Sequence, residues 1–214
     1  MEGLNENKEI NLELEDQVFC KAKDLFMSIG IRSTTMDDIA KDLGISKKTL
    51  YKVVENKGDL VTQCVIHDAN ARRLEVDAIV KEYSNPIEQM LQLGIHILNS
   101  IKQHKISIIH DLMKFYPESW RIITEHKETY VKEIIKQNLK KGIQSGAYRK
   151  DIKIDIYTNF FIAGTDICID TRIFPESEFE FPDIFREYLL AHLRGIVNES
   201  SFTELNQLIE KVKF

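Results

Sequence analysis

The stretch TMDDIAKDLGISKKTLYKVVENK, from Thr35 to Lys57, constrains this chain more than any other. Its residue choices have separate physical reasons that converge on two short helices joined by a tight turn. Thr35 can cap a helix by accepting a hydrogen bond from a free backbone N–H, and Asp38 completes the spacing of a capping box. Ile39, Ala40 and Leu43 fall on one helical face. Gly44 stands where a chain leaving a helix often needs a positive φ, which costs glycine nothing. Ile45 is an apolar plug for the turn. Ser46 can cap the second helix, in which Leu50 is best placed to reach inward, leaving Lys47, Lys48, Thr49, Tyr51 and Lys52 to face a partner. Asn56 and Asp59 repeat the cap-plus-acid spacing, so a third helix is expected to start near Lys57.

Charge sharpens this reading. The chain carries −5 overall, which argues against a protein that coats nucleic acid indiscriminately. Residues 44–57 nevertheless hold Lys47, Lys48, Lys52 and Lys57 against Glu55 alone, a local +3. A lysine pair on a short helix is, by itself, more often solvated surface than a nucleic-acid contact. In register with a capped helix-turn-helix, the same lysines imply a DNA reader.

With 214 residues, 43% hydrophobic and 29% charged, the chain can form a small domain plus a larger one, and two units are expected. The start of the chain lacks the basic and apolar pattern of a signal peptide. No apolar run approaches the roughly 20 residues needed to cross a bilayer, so a cytoplasmic protein with no membrane partner is expected. Cys20, Cys64 and Cys168 are widely separated and lack CxxC spacing, which suggests neither disulfides nor a zinc site but small buried residues. No cofactor and no metal are expected.

Residues 1–13 are polar and read as a flexible arm. From about Leu14, Val18, Phe19, Ala22, Leu25, Phe26 and Ile29 follow helical spacing up to Gly30. That face is what the two short helices need to pack on. Beyond Lys57 a long helix runs to about Tyr83, and Asn85-Pro86 with Glu88 opens the next. A short helix is predicted over 106–115, and Tyr116-Pro117 breaks it. A long helix to about Ser145 follows, then helices over 154–173 and 182–198 and a short amphipathic one over 203–213. The pair 154–173 and 182–198 carries more apolar residues than one core needs, so it can pack within the chain or against its own copy. The fold class is all-α, with about nine to ten helices.

On AKDLF before Gly30, TTMDDIAKDLGISKKTLY and NKGDL, residues 14–74 resemble the DNA-binding domain of the TetR family of bacterial transcriptional regulators. The resemblance implies a three-helix reader with a helix-turn-helix, followed over 75–214 by a larger helical bundle for ligand binding and dimerisation. It places Ser46, Lys47, Lys48, Thr49, Tyr51 and Lys52 on the recognition helix and Thr35 and Lys57 at helix starts that contact phosphate. Val53 and Val54 stand where the family usually shows aromatic or histidine residues, so Val53 is left out of the site. GIQSGAYRKDI, residues 142–152, also resembles the loop before the penultimate core helix of the family. The resemblance further implies a homodimer through the helices about 154–173 and 182–198, with Ala163 and Gly164 allowing close approach. Two readers related by a two-fold axis could then engage a palindromic operator on major-groove faces about 34–36 Å apart.

A repressor is expected, released by a small organic effector; an activator of the same family is the alternative. For the effector, the candidates among the central helices are Met90, His110, Met113, Tyr116, Trp120, Phe160 and Asp166, with Phe115, Tyr130, Asn159 and Cys168 beside them. An enzyme is not expected: His104, His110, Asp111, Asp166 and Asp170 match no metal or acid/base spacing such as HExxH, and there is no phosphate loop or GxSxG elbow. A protein-interaction module is a further low-ranked alternative.

Overall fold

The computed structural model of the chain describes residues 2–102 and 106–212, with side chains over 12–100 and 108–212; His104 lies outside the described residues. Among the described residues all regular structure is helical, apart from one isolated bridge between Tyr148 and Val197. The helices are α1 (Glu2–Ile29), α2 (Met36–Asp42), α3 (Lys47–Leu50), α4 (Lys57–Glu82), α5 (Pro86–Lys102), α6 (Ile106–Phe115), α7 (Pro117–His126), α8 (Lys132–Ser145), α9 (Ile154–Cys168), α10 (Phe181–Ile196) and α11 (Phe202–Val212). A π-helical turn, Lys127–Val131, joins α7 to α8, so one continuous helix runs from Pro117 to Ser145. Counted that way there are ten α-helices among the described residues, in keeping with the all-α expectation.

The structure departs from expectation at three points. The segment expected as an irregular arm is helical from Glu2, since glutamate, leucine and lysine there favour helix and no proline interrupts them. α9 ends at Cys168 rather than near Ile173, where the Asp170 carboxylate accepts from the Arg172 backbone and guanidinium and holds a turn. Cys20 is exposed because it lies off the stripe of Val18, Ala22 and Phe26, whereas Cys64 and Cys168 are buried.

Two compact units emerge, Met1–Ala71 with His104–Thr124, and Arg72–Gln103 with Glu125–Phe214. The first unit is thus not contiguous. Its core gathers Val18, Ala22 and Phe26 of α1, Ile39 and Ala40 of α2, Leu50 of α3, Leu60, Val61 and Cys64 of α4, and Ile108 and Leu112 of α6. Burial of each large aliphatic side chain contributes about 1.5–3 kcal/mol. Tyr116 and Trp120 pack half-buried against this same core.

In the second unit α5 packs on α8, α10 and α11, and α9 packs on α8 and α10. A buried polar chain ties it together. Asn138 donates to the carbonyl of Pro86 and to Gln89 Oε1, both at 2.9 Å, and Gln89 donates to the carbonyls of Val80 (3.1 Å) and Tyr83 (2.8 Å), which satisfies the otherwise orphaned end of α4. Tyr148 is fully buried beside Asn138, and its ring occupies the space a side chain at Gly142 would need, 2.0 Å from that position. Gly164 likewise admits the ring of Tyr188 from α10, at 2.1 Å, so this glycine serves packing inside the chain.

One face of α9 is left uncovered. Ile156 (45% exposed), Phe160 (63%) and Ile167 (48%) stand with exposed Ala163 at helical spacing along it.

Candidate nucleic-acid interface

The interface is built from the caps outward. At the start of α2, Asp38 N donates to Thr35 Oγ1 (3.1 Å), while Thr35 N (2.9 Å) and its hydroxyl (2.7 Å) both donate to Asp38 Oδ2. The capping box expected from the spacing is complete, and the bonds from Thr35 hold the Asp38 carboxyl below its ordinary pKa. Gly44 follows at φ +67°, which turns the chain into α3 without strain. Ser46 caps α3 by accepting from Thr49 N at 3.0 Å, and the Ser46 and Thr49 hydroxyls bond each other at 2.8 Å. Asn56 accepts from Asp59 N (3.0 Å) and Asp59 from Glu55 N (2.8 Å), so α4 starts at Lys57 as its spacing predicts.

Packing then decides which side chains look out. Leu50 and Val54 are buried, and Val53 is half-buried against the same core. Val54 thus does the packing. Ser46, Lys47, Lys48, Tyr51 and Lys52 are exposed and Thr49 is half-buried, so the expected recognition face is assembled on one short element. Tyr51 is 44% exposed, a large amphipathic group facing outward.

The electrostatics separate these residues in a way that spacing did not reveal. Lys47 Nζ lies 2.9 Å from Asp37 Oδ1 and 3.1 Å from Oδ2, an ion pair spanning the turn; hydrogen bonding and charge from Asp37 raise the Lys47 pKa. Lys57 donates to the carbonyl of Arg32 at 3.2 Å, and partial burial lowers its pKa. Among the described residues, the side chains of Lys48, Tyr51 and Lys52 form no hydrogen bond or ion pair, and Tyr51 and Lys52 are tied only through their backbone N–H groups to Lys47 and Thr49. Arg32, which sequence reasoning passed over, is exposed and stacked at 4.5 Å over the Phe115 ring, so it adds positive charge beside Lys57. The signal for it was its place just before the Thr35 cap.

The effector candidates are not gathered within either unit. His110 and Met113 are exposed on α6, and Tyr116 and Trp120 belong to the core of the first unit. In the second unit Met90 is fully buried, Phe160 faces out, and Asp166 pairs with Lys127. Tyr130 donates to Asp77 at 2.7 Å within the π turn, Phe115 and Asn159 are exposed, and Cys168 is buried. Among the described residues no three His, Cys, Asp or Glu side chains are placed to hold a metal, and no helix is long and apolar enough to cross a membrane.

Comparison with known proteins bears on this geometry directly. The family model described as "Bacterial regulatory proteins, tetR family" matches residues 21–64, which span the capped turn. The HTH-type transcriptional repressor KstR2 of Mycobacterium tuberculosis is 24% identical over 182 residues, covering 82% of this chain and 88% of that protein. Among solved structures, a TetR transcription regulator from Haloarcula marismortui superposes with a TM-score of 0.75 at 14% identity, over 87% of this chain and 99% of that one. The transcriptional regulator FadR of Bacillus subtilis, solved in complex with stearoyl-CoA, superposes with a TM-score of 0.63 at 15% identity, over 84% and 98%.

Proposed function

Because this chain belongs to the TetR family of transcriptional regulators, we propose that it is a homodimeric repressor that holds a palindromic operator and releases it when a small organic effector binds. The observation that carries the reading is the doubly capped turn presenting Ser46, Lys48, Thr49, Tyr51 and Lys52 outward from a core that fixes α3 through Leu50. Lysines supply phosphate attraction, and Tyr51 with the small hydroxyl residues supplies contact at base edges. Thr35 and Lys57 are the proposed phosphate contacts at the helix starts. Their hydrogen bonds to Asp38 and to Arg32 then exchange for phosphate oxygens on binding.

The uncovered stripe of Ile156, Phe160, Ala163 and Ile167 supports dimerisation, since a contiguous apolar face on one helix favours a cover. We assign the cover to the same helix of a second copy, with α10 alongside. One recognition helix reads too few base pairs to be selective, and the dimer supplies the second half-site. The stearoyl-CoA bound by the Bacillus subtilis FadR supports an organic effector and makes long-chain acyl-CoA the first class to assay. Such an effector works only through different affinities for the operator-bound and free states. Chromosomal operator binding places the protein in the cytoplasm, and the role is regulatory rather than enzymatic.

The test is retardation of duplex DNA from the neighbourhood of its own gene by the purified protein. The reading expects a discrete complex with two protomers per site. Retardation of no fragment from that region or from the rest of the genome overturns it.

A further inference from the structure

The three acids of α2 have different partners. Asp38 closes the Thr35 cap, Asp42 pairs with Lys21 of α1 at 2.9 Å, and Asp37 takes Lys47 of α3 across the turn with both carboxylate oxygens, at 2.9 and 3.1 Å. The cap and the α1 anchor account for Asp38 and Asp42. The Asp37 pair lies on the surface, with both side chains well exposed, 71% for Asp37 and 50% for Lys47. It also takes one of the lysines that gives this face its positive charge. From this geometry, and resting on the DNA-reading role proposed above, we infer that Asp37 is a built-in counterion that withholds Lys47 from phosphate and so restrains binding to DNA of any sequence.

Phosphate contacts carry no sequence information by themselves, while each one adds affinity for every duplex through counterion release. A lysine already neutralised by a carboxylate releases no counterion until that pair is opened. Lys48 and Lys52, which hold no such partner among the described residues, contact phosphate at full charge. The effect of Asp37 is to lower non-specific affinity more than operator affinity, because base-edge contacts from Tyr51 and its neighbours do not pass through Lys47. Were Asp37 instead a positioning group that aims Lys47 at DNA, its removal would weaken binding, so the two roles differ in sign.

The experiment titrates the full-length protein with a random duplex and with its operator, across a salt series, for wild type, Asp37→Asn, Lys47→Ala and the double variant. The expected result for Asp37→Asn is tighter binding to the random duplex, by about threefold to tenfold at low salt. The slope of log K against log salt steepens by roughly one. The ratio of operator to random affinity falls, and the gain is absent when Lys47→Ala is added. Unchanged or weaker binding by Asp37→Asn overturns the inference while leaving the regulator reading intact if wild type still selects its operator. A gain that persists in the double variant also overturns it. A wild-type protein that binds neither duplex overturns the DNA-reading role and the inference together.

Discussion

His192 on α10 sits in an apolar setting that changes its chemistry. Its ring packs edge-on to Phe161 at 5.2 Å and against Tyr188 at 6.3 Å, and its buried Nε2 has no hydrogen-bond partner among the described residues. Burial pushes its pKa from the ordinary 6.5 down to about 4. The unfolded chain therefore binds a proton that the folded chain refuses between those values. Stability is full above about pH 6.5 and falls as pH drops towards 4, by roughly 3 kcal/mol in all for this group. Urea midpoints at pH 7 and pH 4.5 measure it, and His192→Leu should flatten that part of the profile. In the first unit, Lys48→Ala and Tyr51→Ala remove exposed side chains and should leave helix content and melting temperature unchanged. Lys48→Ala should weaken binding to all duplexes and reduce the salt slope by about one, while Tyr51→Ala should cost roughly 1–3 kcal/mol on the operator. Equal loss on operator and random DNA for Tyr51→Ala would remove it from base readout.

At the scale of elements, the capped turn is where sequence was most legible, because each cap is a local pattern of three or four residues with one physical purpose. Thr35→Ala should destabilise by about 1 kcal/mol, and Gly44→Ala, forced to φ +67°, by a similar amount; thermal denaturation followed at α-helical wavelengths checks both. The Gly164→Ala variant brings a methyl against the Tyr188 ring and should cost about 1–3 kcal/mol, more than its exposed neighbour Ala163 tolerates on change to serine. What stayed illegible was set by distant pairing. The Asp37 to Lys47 ion pair joins different helices and follows no helical spacing, and the π turn at Lys127–Val131 carries Tyr130, which donates to Asp77, and Lys127, which pairs with Asp166. α6 joins the core of the first unit through Ile108 and Leu112, a grouping that no local pattern announces. The effector candidates share a type, aromatic or mixed, and a place on central helices. Tyr116 and Trp120 turned out to pack in a core, and Phe160 to face outward, since side-chain type alone does not say which way a helix is turned.

For the whole molecule, the proposed selectivity depends on two readers acting as one. Phe160→Asp places a charge in the middle of the α9 stripe and should convert a dimer to a monomer in sedimentation equilibrium, with the secondary structure retained. On the proposed dimer, operator affinity should fall with it by far more than random-duplex affinity, because a monomer would engage one half-site only. The most direct test of the central claim is footprinting of the purified protein on the DNA upstream of its own gene. The expected result is a protected palindrome whose half-site centres lie about one helical turn or a whole multiple of it apart, lost with Tyr51→Ala and Lys48→Ala combined. Absence of any protected palindrome there or elsewhere in the genome, or a footprint unaffected by that double variant, would contradict it.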